Sequence, residues 1–308
     1  MTTTHAAVAF LVSAGAVPAG ACRLGADVPL ARAATDADAG PDGVAWVSEK
    51  GLADRPGCLA AFGGALVVVP ASADVAAVPA AATVVAADDP RIVFAILAGH
   101  LFADLLDAGW PAAGDSPIAP DAQIGEDVRL AYGVVLGAGV VLGRGVRVGP
   151  NTCIAHTTVE DGAEIGASCT IGQTGFGYVR GAGGEIVRFP HLGRVLIERG
   201  ASVSSNTCID RGSLGTTVVA ADAKIDSLVY LSHNVHIGEG ALVIGHSMVG
   251  GSTSIGARAW IAPGAAVMDH VTVGADALVG LGAIVTTSVA AGGTVAGNPA
   301  RPWPPRTP

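Results

Sequence analysis

From Ile118 to Val285 an aliphatic residue returns at every sixth position along most of the chain. The first run is Ile118, Ile124, Leu130, Leu136, Leu142, Val148 and Ile154, and a single slip leads on to Val159, Ile165 and Ile171. Residues 173 to 193 interrupt the series, which returns at Ile197, Val203 and Ile209 and pauses briefly again. It then runs unbroken from Val219 through Ile225, Leu231, Ile237, Val243, Val249, Ile255, Ile261, Val267, Val273 and Val279 to Val285. Six is a multiple of the strand period of two, so every marked residue points the same way. The glycine that follows many of them, as at Gly125, Gly137, Gly143, Gly149, Gly238, Gly256 and Gly274, eases a corner. Three hexads make a triangular coil, and the series predicts about eight coils of parallel β-helix with equivalent strands ~4.8 Å apart. A residue and the one eighteen places later are then neighbours.

Residues 1 to 114 lack this period. They contain the apolar runs Ala65–Val69 and Ala82–Ala86, then Pro90–Leu97 with helical spacing, which together predict a small α/β domain. Ala112–Pro117 is the natural linker to a β-helix domain spanning 115 to 290. The insertion 173 to 193 carries Gly175, Gly177, Gly181, Gly183 and Gly184, with two β-like arms ending at Arg180 and Ile186, the pattern of a hairpin leaving the helix. Residues 291 to 308 pass through Gly297-Asn298-Pro299-Ala300 into a proline-rich tail with no room for another helix.

Half of the residues are apolar, only 4% are aromatic and 44 are glycine, which suits a narrow interior of Val, Ile, Leu and Ala. A formal charge of -9 with only Lys50 and Lys224 as lysines leaves no basic stripe for a nucleic acid. Five cysteines without a CxxC pair favour reduced thiols over a disulfide or zinc framework. Residues 6 to 22 are apolar, but Met1 to His5 carry no Lys or Arg and no stretch is long enough to span a bilayer, so a cytoplasmic location is expected.

The polar pair His233-Asn234 interrupts an otherwise aliphatic segment, Leu-Ser-His-Asn-Val-His-Ile-Gly. His233 lies two places after the inward Leu231, so it turns inward by alternation unless a corner turns it out. Eighteen places on is Gly251, whose N–H would sit about one strand spacing away, where it could receive an oxyanion while the histidine takes a proton. A corner histidine bonded to a backbone carbonyl is the plain alternative. His236 and His246 read as solvated surface residues, Asp210-Arg211 as a surface ion pair, and His156 and His191 carry no assigned role. Phe176 and Tyr178 on the insertion are placed to cover an acceptor.

Gly175-Phe176-Gly177-Tyr178, Phe189-Pro190-His191-Leu192-Gly193-Arg194-Val195, Thr207-Cys208-Ile209-Asp210-Arg211-Gly212 and Ile225-Asp226 leading to His233-Asn234-Val235-His236-Ile237-Gly238 together resemble the signature of the UDP-3-O-acylglucosamine N-acyltransferases. That family adds the amide-linked acyl chain in lipid A synthesis. The resemblance implies a left-handed β-helix, His233 as general base, Gly251 as oxyanion donor, and substrate contacts from Trp46, Phe176, Tyr178, Asp226, Asn234, His246 and His270. Asp226 would steady the region near His233, and His246 stands where the family often has Gln. The resemblance also implies a homotrimer with sites between subunits, an acyl carrier protein as donor, a UDP-amino sugar as acceptor held through its uracil by the N-terminal domain, and no bound cofactor or metal.

The chain departs from the family pattern in two places. Trp46 supplies one ring of the uracil clamp, while Leu52 stands at the place of the second. The Gly-Asn-Pro-Ala ending is similar to that of CoA-dependent hexapeptide acetyltransferases, which keeps a CoA thioester open as donor and another nucleotide-linked amino sugar as acceptor. A γ-type carbonic anhydrase would need an H-x4-H pair that the histidines do not provide, and a purely structural β-helix explains the period but not the His-Asn segment.

Overall fold

The computed structural model describes residues 2–107, 110–112 and 116–302, so positions 113–115 of the expected linker and 303–308 of the tail lie outside the described residues. The chain divides into two compact units, one of Met1–Leu106 with Gly177–Leu192 and the other of Asp107–Phe176 with Gly193–Pro308.

The second unit is a left-handed parallel β-helix. Its short strands stack into three sheets of ten, eight and eight strands, one for each face of a triangular prism. Equivalent hexads pair in register: Ile237 lies between Val219 and Ile255, and Leu231 between Ile209 and Val249. The stack continues across both interruptions, because Ile209 pairs with Ile171 beyond the excursion and Leu231 with Ile209 beyond the short loop. None of the sixfold marker residues from Leu136 to Val285 is more than 3% exposed. Each such aliphatic side chain contributes roughly 1.5–3 kcal/mol by leaving water. At the start of the helix Ile124 pairs in register with the inward Leu142 but is 44% exposed. The first coil has a neighbouring coil on one side only, so its interior residues cannot be enclosed.

The corners require a left-handed backbone. Asn151, His156, Asn206, Asn234, His246, Ser252, His270 and Asp276 all hold φ between 48° and 61°. Asn, Asp and His tolerate this region better than other residues with a Cβ, which gives several corner histidines a conformational reason to be there.

The first unit is a five-stranded sheet in the order Cys22–Arg23, Thr83–Ala87, Leu66–Pro70, Gly43–Trp46 and Arg32–Ala33, parallel except for the first strand. Leu66–Pro70 is buried along its whole length, as a central parallel strand covered on both faces must be. The helix Pro90–Leu101 starts at Asp89, whose carboxylate accepts hydrogen bonds from the Arg91 and Ile92 N–H groups, with Pro90 at the first helical position. It buries Phe94 and Leu97 completely against the unit's core. The apolar N-terminal stretch forms the helix Thr4–Ser13, and among the described residues no helix is long and apolar enough to cross a membrane.

The predicted hairpin is present, with Tyr178–Arg180 paired antiparallel to Ile186–Arg188. It belongs to the first unit, not to the β-helix that it interrupts in sequence. Phe189, just past its second arm, is the anchor: its ring lies 5.7 Å from Phe94 and 6.2 Å from Trp46, with the Arg91 guanidinium 5.3 Å above it.

Candidate active site on one edge of the prism

The strand pairs place the candidate residues on particular edges. His233 and Asn234 form the turn between Tyr230–Leu231 and His236–Ile237, and Gly251-Ser252 and Asp269-His270 occupy the equivalent turns of the next two coils. The loop 211–214 and the excursion from 174 to 193 leave from the same edge one and two coils below. Both breaks in the hexad series and the His-Asn pair therefore share one column of corners.

His233 is turned out by this corner and is half-buried. Its Nδ1 lies 3.2 Å from Asn234 Oδ1 and 3.3 Å from Ser213 Oγ. The Ser213 N–H donates to Asn234 Oδ1 at 2.9 Å, which fixes the amide with its oxygen at this point. An amide oxygen only accepts, so it selects the imidazole tautomer with the proton on Nδ1 and the lone pair on Nε2. The Asn234 N–H in turn donates to Thr217 Oγ1 at 2.9 Å, which ties the turn to the coil below.

The eighteen-residue relation is realised in contact. A Cβ built on Gly251 would lie 2.7 Å from both Nε2 and Cε1 of His233, so the imidazole rests against a position that only glycine can hold without displacing it. The Ser252 N–H donates to the His233 carbonyl and the His270 N–H to the Gly251 carbonyl, each at 2.9 Å. Among the described residues the Gly251 N–H donates to no backbone carbonyl, and a donor not used by the sheet remains beside the ring. A ring nitrogen with a lone pair and a backbone N–H outside the sheet thus lie on adjacent coils of one edge.

Beneath them lies a polar layer that the sequence does not announce. Asp210 and Arg211, expected as a surface ion pair, are 1% and 2% exposed. The reason is that Asp210 is covered by Tyr230 of the next coil and by Gly175 at the start of the excursion. Asp210 accepts hydrogen bonds from the Tyr230 hydroxyl at 2.6 Å and the Gln173 amide at 3.0 Å. Burial holds the Asp210 carboxyl above the usual carboxylate range despite these two donors and the nearby His233. Burial and the Asp210 hydrogen bond push the Tyr230 hydroxyl up to about 12. Arg211 is brought down to about 10 by burial and by Arg194. His156, one corner below the excursion, is brought down to about 4 by burial, Arg211 and Arg194, and is neutral at physiological pH.

The remaining predicted residues fall elsewhere. Asp226 and His246 are exposed and sit on the neighbouring edge, where Asp226 accepts from the Gly245 N–H at 3.0 Å and the Ser227 N–H at 2.7 Å. Within one chain Asp226 does not adjoin His233, contrary to the expectation, because a full strand separates the two corners. His270 is exposed two coils above Asn234, near Asp269. Phe176 is 81% exposed and Tyr178 45%. Trp46 is half-buried, its aromatic neighbours being Phe94 and Phe189, while Leu52 packs against the core of this unit. A groove lined by Arg129, Arg147, Glu164, Ser202 and Ser205 lies along another face and shares no residue with the His233 edge. No disulfide joins the five cysteines, and no cluster of three or more His, Cys, Asp or Glu suited to a metal occurs among the described residues.

No family model matches the chain. Curated proteins do: over 152 residues it is 36% identical to the UDP-3-O-acylglucosamine N-acyltransferase of Caulobacter sp. (strain K31), a match covering 49% of this chain and 44% of that protein. By sequence the chain is similar to UDP-3-O-acylglucosamine N-acyltransferases. A protein of the same name from Methylococcus capsulatus is 39% identical over 146 residues, 45% of this chain and 41% of that one. The chain thus matches less than half the length of these curated relatives. A solved UDP-N-acetylglucosamine acyltransferase superposes with a TM-score of 0.52 at 19% identity, over 62% of this chain and 72% of that one, a likeness of fold.

Proposed function

We propose that this chain is an N-acyltransferase that moves an acyl group from a phosphopantetheine thioester to the amine of a UDP-linked glucosamine, the step named for its curated relatives and used in lipid A synthesis. The observation that carries the reading is His233, with its tautomer set by Asn234 and its Nε2 resting over Gly251. The amine nitrogen attacks the thioester carbonyl, and the oxygen becomes an oxyanion within reach of the Gly251 N–H. Nε2 of His233 takes the proton that the amine loses. The carbon–sulfur bond then breaks, the amide forms, and the departing thiolate receives that proton. A scaffold without catalysis accounts for the hexads but gives no reason for a glycine held against an oriented imidazole.

The acceptor's nucleotide is assigned to the first unit, where Trp46 offers a ring face for the uracil, and Phe176 and Tyr178 are assigned to the sugar. Asp226, His246 and His270 contribute through a homotrimer, in which the edge of one copy stands beside the neighbouring edge of the next. The separation of Asp226 and His246 from His233 within one chain supports that assembly. A cytoplasmic location belongs to the same reading.

Acyl carrier protein is the favoured donor, because the likeness centres on the segment around His233. Carrier proteins are acidic, and of the arginines near the last coils Arg258 is already held by Asp276 through two 2.7 Å hydrogen bonds. Docking is therefore weak and salt-sensitive, and this pairing is also what favours the second reading, a CoA thioester. The test is the initial rate with one acyl group presented on carrier protein or on CoA, at low and moderate salt. Faster transfer from carrier protein that falls with salt supports the first reading, and equal or faster transfer from CoA replaces it with the second.

A further inference from the structure

We infer that Asp210 is a positioning residue for His233: its buried carboxylate, clamped by Tyr230 and Gln173 beneath the loop that holds the imidazole, supplies the negative charge that favours the protonated ring. The inference rests on the reading of His233 as the base and goes beyond it by naming what stabilises the imidazolium.

The geometry is a stack of three levels on one edge. Gln173 lies at the lowest, Asp210 in the middle, and Tyr230 with His233 at the top. Both carboxylate oxygens are engaged, Oδ1 by the Gln173 amide and Oδ2 by the Tyr230 hydroxyl, so the side chain cannot swing away. Gly175 closes the remaining side, since a Cβ there would meet Oδ2 at 2.6 Å. Three residues further along the chain, Ser213 reaches His233 Nδ1 with its hydroxyl and Asn234 with its N–H. Asp210 thus fixes the start of the loop whose end orients the ring.

Burying a carboxylate with two neutral donors and no function would be costly, and an Asn, with one oxygen accepting from Gln173 and an N–H donating to the Tyr230 oxygen, would fill the same place more cheaply. What Asn cannot provide is charge. The titratable and charged groups around His233 are Asp210 and Arg211 from the coil below, Tyr230 on its own coil, and Asp269 with His270 beyond Gly251. Ser213, Asn234, Gly251 and Ser252 contribute none. Tyr230 stays neutral, so replacing Asp210 removes the negative charge from the coil beneath His233. The protonated ring is then disfavoured and its midpoint moves down.

The experiment reads His233 directly. Wild type and Asp210→Asn are treated with diethyl pyrocarbonate, which modifies only the neutral imidazole, across pH 5 to 8, and carbethoxylation is resolved residue by residue by tandem mass spectrometry. The midpoint for His233 is expected to fall by ~0.5–1 unit in Asp210→Asn while those of the exposed His236 and His246 stay in place. Transfer to UDP-3-O-acylglucosamine is expected to show the same displacement of its acid limb. If Asp210→Asn does not fold, Asp210→Ser removes the charge while keeping a hydroxyl to accept the tyrosine proton, and gives the same readout. An unchanged His233 midpoint in the folded variant overturns the role of Asp210 and leaves the base assignment standing. Full transfer by His233→Ala overturns the base assignment, whatever the midpoint does.

Discussion

Gly251→Ala probes the contact between His233 and its neighbouring coil with the smallest possible change. The backbone tolerates alanine, because Gly251 is not among the residues with positive φ. The added methyl lies 2.7 Å from Nε2 and Cε1 of His233, roughly 0.7 Å inside ordinary van der Waals contact, and 3.2 Å from Nδ1. The ring must shift to relieve this contact, and any shift disturbs the Nδ1 contacts to Asn234 and Ser213 that set its tautomer. A displacement on the order of 1 Å in a reacting group costs about 10²-fold in rate. Steady-state transfer with saturating acceptor should therefore show kcat lowered by about two orders of magnitude, KM for the acceptor within about twofold, and a melting temperature within a few degrees of wild type. Gly99→Ala is the control: it lies in the helix Pro90–Leu101 with nothing within 4 Å of the new methyl, and should leave turnover unchanged. Wild-type kcat in a folded Gly251→Ala would refute the placement of the chemistry at this edge.

Other outcomes follow from the same geometry. Trp46→Ala should raise KM for the UDP-sugar by about tenfold, from base stacking worth ~1–3 kcal/mol, with kcat little changed; equal KM values would move the nucleotide elsewhere. Ile261→Ala, at a fully buried position, should lower stability by ~2–5 kcal/mol in denaturant unfolding, and a change below 1 kcal/mol would contradict the tight interior. His156 has its folded pKa brought down to about 4, so between pH 6.5 and 4 the unfolded chain binds the extra proton and stability falls on acidification. His156→Asn, which accepts the φ of 48°, should flatten that part of the Tm against pH curve, and an unchanged slope would assign the acid sensitivity to other groups.

Much of this was legible in the sequence for a simple reason. In a β-helix each inward residue meets only its equivalents one coil away, so the hexad series and the pairing of His233 with Gly251 follow from counting. The same count, taken in threes with the interruptions left out, puts Gln173, Arg211, His233 and Gly251 on one edge and Asp226 with His246 on another, and that signal was available. The burial of Asp210 was not, because a charged pair reads as surface until the corner it follows is known to be roofed by Tyr230. The grouping of the hairpin with the first unit depends on Phe189 meeting Phe94 and Trp46, contacts between distant segments that no local pattern encodes.

The most direct test of the account is to incubate the purified chain with UDP-3-O-acylglucosamine and an acyl carrier protein thioester and follow the sugar nucleotide by mass spectrometry. The account predicts a mass gain of one acyl group on the amine, made by wild type and slowed by about 10²–10⁴-fold in a folded His233→Ala variant. No acylated sugar from wild type with either carrier or CoA thioester, or equal yield from His233→Ala, would contradict it.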